Sequence, residues 1–344
     1  MRPLRRSLTA AFGAFAAALL LVGCSATPTV ETPAPEPQTG QNGFPLTLHN
    51  VWGDVTIPKE PRRIVALGYS DVAVASALGA DIVGGVQSFG SVSGLSQDRN
   101  LPYVTPLREP VTWLNPMDVN VEQIATLKPD VILATAAYSL NEQTYELLND
   151  VAPVVTYEKG LYQASAPDEA RRIGRALGKE GAARELAAKA ERAVSALRAE
   201  LPGLNGGTYL YGQARGGVAV MVVAGDNLTA KFMNGLGLVP LPAVANLEGR
   251  GSVPGTVDVG YEQAGLFEDA DVLFMTYQGD RYRQQFEKHP VVGGLDIVKS
   301  RYVPLDIEVA TALQAPNVVA VPWLLDRLRD GLGKVSARRT GTSG

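Results

Sequence analysis

The sequence holds one cysteine and two histidines in 344 residues. One thiol cannot close an internal disulfide, and one cysteine with His49 and His289 cannot assemble a zinc or iron centre from the usual ligands. Any metal handled by this chain therefore arrives inside its own chelator, and no resident cofactor is expected. A cationic surplus is also lacking, since 31 Lys and Arg face 35 Asp and Glu for a formal charge of −4. With no basic run to neutralise phosphates, nucleic acid is excluded as a partner. The apolar stretch Leu8–Val22 is 15 residues long, too short to span a bilayer comfortably.

Catalytic signatures are absent too. Gly90–Ser91–Val92–Ser93–Gly94 misses the serine-nucleophile motif because its serines flank the required position. Gly249–Gly255 (GRGSVPG) misses the dinucleotide fingerprint and carries a proline where a helix should begin. No Walker loop occurs, so the chain reads as a binder and not an enzyme. His49 and His289 sit in polar segments and read as surface residues.

The start of the chain is an address. Arg2, Arg5 and Arg6 precede the apolar stretch, and Leu21–Val22–Gly23–Cys24 resembles the bacterial lipobox. Residues 1–23 are thus expected to be a lipoprotein signal peptide, with Cys24 the site of palmitate-type lipidation. Residues 24–45 are rich in proline and lack periodicity, which predicts an extended tether. Removing three arginines and no acid takes the exported chain to −7. The predicted location is the outer face of the cytoplasmic membrane, the periplasmic side if the cell has two membranes.

At 46% hydrophobic and 19% charged, the remainder has the composition of a globular protein with a substantial core. From Pro61 short β-branched runs alternate with helical patterns, which predicts an α/β protein with parallel sheets. RIVAL (Arg63–Leu67), Ile82–Val86, VILA (Val131–Ala134) and Val154–Tyr157 read as strands, and Ser70 reads as the cap of a helix through Leu78. Two lobes echo each other: Glu122–Gln123, Asp130 and VIL are answered by Glu262–Gln263, Asp271 and VLF. Leu78–Gly79–Ala80 is likewise answered by Leu236–Gly237–Leu238. Between the halves, Leu186, Ala190, Val194, Leu197 and Leu201 form one stripe on a long helix stopped by Pro202–Gly203. The expected organisation is a lobe at 46–165, an interlobe helix region at 166–203, a second lobe at 204–335 and a disordered tail at 336–344.

Four stretches carry a family resemblance: PRRIVALG (Pro61–Gly68), SALGADIVGG (Ser76–Gly85), NVEQIATLKPDVILA (Asn120–Ala134) and VGYEQAGLFEDADVLF (Val259–Phe274). They resemble the solute-binding lipoproteins of ATP-driven importers, the class that takes up ferric siderophores, cobalamin and haem. The resemblance implies a class III fold, two lobes with central sheets joined by one rigid helix, acting as a monomer. It implies that Glu122 and Glu262, at matching helix starts, pair with arginines on the permease subunits. A carboxylate at a helix N-terminus is also what the helix dipole alone would favour.

In open α/β sheets ligands bind beyond the carboxyl ends of strands. Applied here, the rule selects Tyr69, Ser70 and Tyr138 in the first lobe, and Gln213, Arg215, Tyr277 and Gln278 in the second. Trp113, in the loop LREPVTWLNP, is placed to cap the cleft with Arg108 beside it. Tyr209, Tyr211 and Trp323 are assigned to the core, and Arg281 and Arg283 to a solvated face. Aromatic faces suit a bulky ferric complex and arginine suits an anionic one. With so few arginines in the set, the expected ligand is a weakly charged ferric siderophore such as a hydroxamate; the alternatives are haem or cobalamin, and an extracytoplasmic enzyme on the same scaffold.

Overall fold

A computed structural model describes residues 43–223, 227–247, 251 and 255–341. Every element below belongs to one compact unit, Thr39–Gly344. Cys24 and the segments expected to be leader and tether, up to residue 42, lie outside the described residues, and no helix among those described is long and apolar enough to cross a membrane.

The chain opens with an antiparallel hairpin, β1 (Leu46–Asn50) and β2 (Gly53–Ile57). The first lobe is then built on five strands: β3 (Ile64–Ala66), β4 (Ile82–Val86), β5 (Thr112–Leu114), β6 (Val131–Ala134) and β7 (Val154–Thr156). They lie in the order β5-β4-β3-β6-β7, all parallel. Strands buried on both faces need continuous apolar runs, and β6 supplies one, with all four residues at 0% exposure.

The second lobe carries β8 (Thr208–Arg215), β9 (Val218–Val222), β10 (Val239–Pro240), β11 (Thr256–Gly260), β12 (Val272–Tyr277) and β13 (Tyr302–Leu305). Strands β10, β8, β12 and β13 are parallel neighbours. Against the all-parallel expectation, β9 runs antiparallel to both its neighbours, β8 and β11. The cause is local: Gly216 and Gly217 take φ of 52° and 103°, so the chain folds straight back as a hairpin. Along β12, Val272 and Phe274 join one core while Leu273 and Met275 join another, the period-two pattern of a sheet covered on both sides.

The internal echo is structural. Asp130 Nα donates to the Arg63 carbonyl at 2.8 Å, and its carboxylate accepts from the Arg62 and Arg63 amides. Asp271 Nα donates to the Thr208 carbonyl at 3.0 Å, and its carboxylate accepts from the Thr208 amide. Each aspartate thus ties the foot of its own strand to that of its neighbour. The Leu-Gly pairs match as well: Gly79 and Gly237 both take positive φ after a helix, and the next residue donates five back, Ala80 to Ala75 and Leu238 to Met233.

Helices Ala166–Ala176 and Glu180–Glu200 connect the lobes. The second has 21 residues, about 32 Å at 1.5 Å each. Its buried face is Ala183, Ala187, Ala190 and Leu197, one step round from the expected stripe, with Leu186 and Val194 half-buried. Small residues win this face because helix 166–176 lies close against it: a Cβ on Gly174 would stand 2.4 Å from Ala183 Cβ. Gly174→Ala is expected to lower unfolding free energy by about 1–3 kcal/mol in urea denaturation, the usual cost of overpacking. One apolar core runs from the first lobe through this helix to one face of the second sheet, so the lobes are bridged by packed side chains and not by a loose linker.

Two expected boundaries shift. Phe44 is buried and lies 3.0 Å from where a Gly178 Cβ would stand, so the folded body begins before residue 46. At the other end, helix Ala320–Thr340 continues through the first five residues assigned to a tail. Val335 and Ser336 are buried there, and Ser336 Oγ accepts from the Gly203 amide at 3.1 Å.

Candidate functional site

Beyond the carboxyl ends of β6 and β7 lies a cavity of about 430 Å³. Its first-lobe wall is Thr135, the loop Tyr157–Ala164 without Leu161, and helix 166–176; Leu228, Ala315 and Pro316 come from the second lobe. It is therefore an interlobe space at the strand ends, where open sheets bind ligands. Elsewhere the lobes touch directly: Gly90 packs near Ile307 and Glu308, and Tyr103 packs on Trp323 in a tilted arrangement with ring centroids 5.5 Å apart.

Helix Tyr69–Ala77 supplies the floor beside this cavity. Contrary to expectation, Ser70 does not cap it. Gly68 holds the cap position without a side-chain bond, since a Cβ there would come within 2.6 Å of the Ala136 backbone. Ser70 is instead buried in the first turn. Asp71, also buried, accepts from the Thr135 amide at 3.0 Å and the Thr135 hydroxyl at 2.6 Å. The same hydroxyl lies 3.2 Å from the Glu169 carboxylate, which lines the cavity. One hydroxyl hydrogen cannot satisfy two carboxylates, so the pair is strained when both are ionised.

Burial pushes Asp71 up to about 6, against the lowering effect of its Thr135 and backbone hydrogen bonds. Burial first, and the Asp71 charge second, push Glu169 up to about 7, opposed by Ser70 and Thr135. Tyr162, which faces both acids and Tyr138, is raised by burial and by the Glu169 charge. Between pH 4.5 and 7 the folded chain keeps a proton on Glu169 that the unfolded chain has released, so stability falls as pH rises through that window. Glu169→Gln removes this ionisation. It is expected to gain about 1–3 kcal/mol over the parent at pH 8, with the gain vanishing near pH 4, in denaturant titrations across pH. An unchanged pH slope would contradict this assignment.

Three phenols, Tyr69, Tyr138 and Tyr162, gather near the acids. Tyr69 is buried, its hydroxyl has no hydrogen-bond partner among the described residues, and burial together with Tyr138, Tyr103 and Tyr162 raises its pKa. Tyr162 is held in the left-handed region at φ 62°, which a bulky residue adopts only under constraint. Tyr138 is half-buried, and its hydroxyl contacts the sulfur of Met117, an exposed methionine after β5.

None of the nine residues expected to hold ligand lines the cavity. Tyr69, Ser70 and Tyr138 stand just behind it, around Thr135, Tyr162 and Glu169. Gln213 and Arg215 lie within a strand and not after it, since β8 runs on to the hairpin turn; the Arg215 Nε donates to Gln213 at 2.6 Å. Trp113 is half-buried within β5, paired with Gly85, and not in a loop. Arg108 is exposed in the segment before it. Tyr277 is buried at the end of β12 and shares a 2.7 Å hydrogen bond with Tyr302, while Gln278 is exposed beyond it. Tyr209 and Tyr211 are core residues and Trp323 is half-buried. Glu122 and Glu262 are both exposed in first turns, the former capped by Asn120, the latter on a 3₁₀ helix, Tyr261–Phe267. Lys159, Tyr162, Glu169 and Arg175 are cavity residues that the motifs do not reveal. A signal exists for the first: Tyr157–Lys159 follow the run Val154–Thr156, so the strand-end rule reaches them.

Comparison with known proteins fits this geometry. The periplasmic binding protein family model matches residues 64–306. The uncharacterized ABC transporter substrate-binding lipoprotein YvrC of Bacillus subtilis is 29% identical over 54% of this chain and 54% of its own length. The chain thus spans about half of that relative. The probable siderophore-binding lipoprotein YfiY of the same organism is 25% identical over 78% of this chain and 82% of its own. Among solved structures, PiaA of Streptococcus pneumoniae in complex with ferrichrome shares the fold, with a TM-score of 0.65 at 21% identity over 85% of this chain and 99% of the other. A family match across both lobes, joined by the helix-bridged architecture, places the chain in the periplasmic binding protein family.

Proposed function

We propose that this protein captures a ferric siderophore between its lobes and delivers it to the permease of an ATP-driven importer, held to the membrane by lipid on Cys24. The observation that carries this reading is the cavity of about 430 Å³ between two lobes that share a continuous core, because such a body closes on a ligand without catalytic machinery. The names of its relatives support it: one is a substrate-binding lipoprotein of an ABC transporter, another a probable siderophore-binding lipoprotein, and the solved neighbour holds ferrichrome. Glu122 and Glu262 present matching exposed carboxylates, one on each lobe, as docking points for the permease subunits. No bond is broken in this cycle; the ligand is bound and released.

Intrinsic tryptophan quenching of the exported chain against ferric siderophores, haem and cobalamin tests the reading. At least one ferric siderophore is expected to bind with Kd below about 10 μM, or 7 kcal/mol. Binding of haem or cobalamin alone would transfer the protein to the other branch of its class, and binding of none would refute the reading.

A further inference from the structure

Resting on that reading, we propose that the cavity selects an anionic ferric chelate, one whose iron is held by carboxylate or catecholate oxygens, and that Lys159 and Arg175 are the residues that select it. Most charges around the wall are already paired. Glu158 accepts from the buried Arg172 at 2.8 Å, Asp168 is paired with Arg171, and Glu180 turns to Arg184 at 3.0 Å. Lys159 and Arg175 line the same cavity with no carboxylate partner among the described residues.

The remaining wall acid is Glu169, which competes with Asp71 for the single Thr135 hydroxyl hydrogen. The half-buried Glu169 and the buried Asp71 share that one hydroxyl, and the charge on either disfavours ionising the other, so the negative charge Glu169 presents to the cavity is reduced. The wall therefore holds two unmatched cations, one of them a guanidinium whose fork fits carboxylate or catecholate oxygens. Arg171 and Arg175 also stand four apart on one helix, a like-charge spacing that an anion between them relieves. A neutral trihydroxamate would leave both cations unmatched. The weakly charged ligand expected from the sequence rested on Arg215 as the one cleft arginine, and Arg215 is instead an exposed hairpin residue bonded to Gln213.

The test uses the exported chain and three probes: ferric citrate, a ferric tris-catecholate and ferrichrome as the neutral trihydroxamate, each titrated by fluorescence quenching at pH 7. One of the two anionic probes is expected to bind at least tenfold tighter than ferrichrome. The double variant Lys159→Gln/Arg175→Gln, both exposed positions, is expected to weaken that probe at least tenfold more than it weakens ferrichrome, with the thermal midpoint unchanged. The identity of the tighter anion separates carboxylate from catecholate recognition. Ferrichrome binding tightest, or anion affinity unmoved by the double variant, overturns this inference alone. Failure of all three probes overturns it together with the siderophore reading.

Discussion

Arg172→Ala is expected to lower the unfolding free energy by about 3–5 kcal/mol, the range for removing one partner of a buried charge network. The guanidinium is buried and fully engaged. Its Nε donates to the Thr156 carbonyl at 2.5 Å, Nη1 to Glu158 at 2.8 Å, and Nη2 to Asn50 Oδ1 at 2.6 Å and to the His49 carbonyl. Asn50 is itself buried, donating to the Val154 carbonyl and accepting from the Thr156 amide. The arginine therefore fastens the β1–β2 hairpin to the edge strand β7, where Trp52 packs on Tyr145 and Tyr157 at 5.1 and 5.5 Å between ring centroids. Truncation orphans several polar groups at once, and each buried orphan carries its own desolvation cost. Because Tyr157 and Glu158 line the cavity, ligand affinity is expected to fall with stability. Urea denaturation with the lysine variant as control measures this. Lysine keeps the charge but not the planar fork, so it should recover only part of the loss. A change below about 1 kcal/mol for alanine would show that the network is dispensable.

Reversing both exposed glutamates, Glu122→Arg with Glu262→Arg, is expected to reduce uptake of the iron complex by tenfold or more while leaving its affinity unchanged. Both carboxylates sit in the first turn of short helices on opposite lobes, away from the cavity lining. Their contribution to folding is the helix-dipole effect, about 0.3–1 kcal/mol each, too small to unfold the chain. At a docking rim, by contrast, a reversed charge meets like charge and costs both encounter rate and register. Uptake assays in cells expressing the variant, paired with titrations on the purified chain, separate the two roles. Lost affinity would place the glutamates at the ligand, and undiminished uptake would assign them to helix starts alone.

The architecture was legible in the sequence because its signals are local. Buried β-branched runs, Leu-Gly helix ends and strand-tying aspartates each depend on a few adjacent residues, so the paired lobes could be read directly. The bridging helix was legible in length but not in facing: leucines marked the apolar stripe, whereas the close approach at Gly174 reserves the inner face for alanines. The site was less legible, and for a physical reason. Tyr69 and Tyr138 do join a phenol cluster, but whether a charged side chain is free for a ligand depends on partners far away in sequence. Arg172 is spent on Asn50, 122 residues off, while its neighbour Arg175 is not. Glu169 is raised first by burial and then by the charge of Asp71, 98 residues earlier, and is opposed by Ser70 and Thr135, residues that share no common motif.

The position of the bound iron decides most directly whether the interlobe cavity is the ligand site. An anomalous difference map from crystals of the exported chain grown with ferric citrate, or with the ferric chelate that binds tightest, locates it without assumption. The predicted result is one iron peak in the interlobe cavity, with chelate oxygens reaching Lys159 and Arg175 and the far side covered by Leu228 and Pro316. A peak elsewhere, such as beside Arg215 and Gln278, or no ordered iron at saturating chelate, would contradict it.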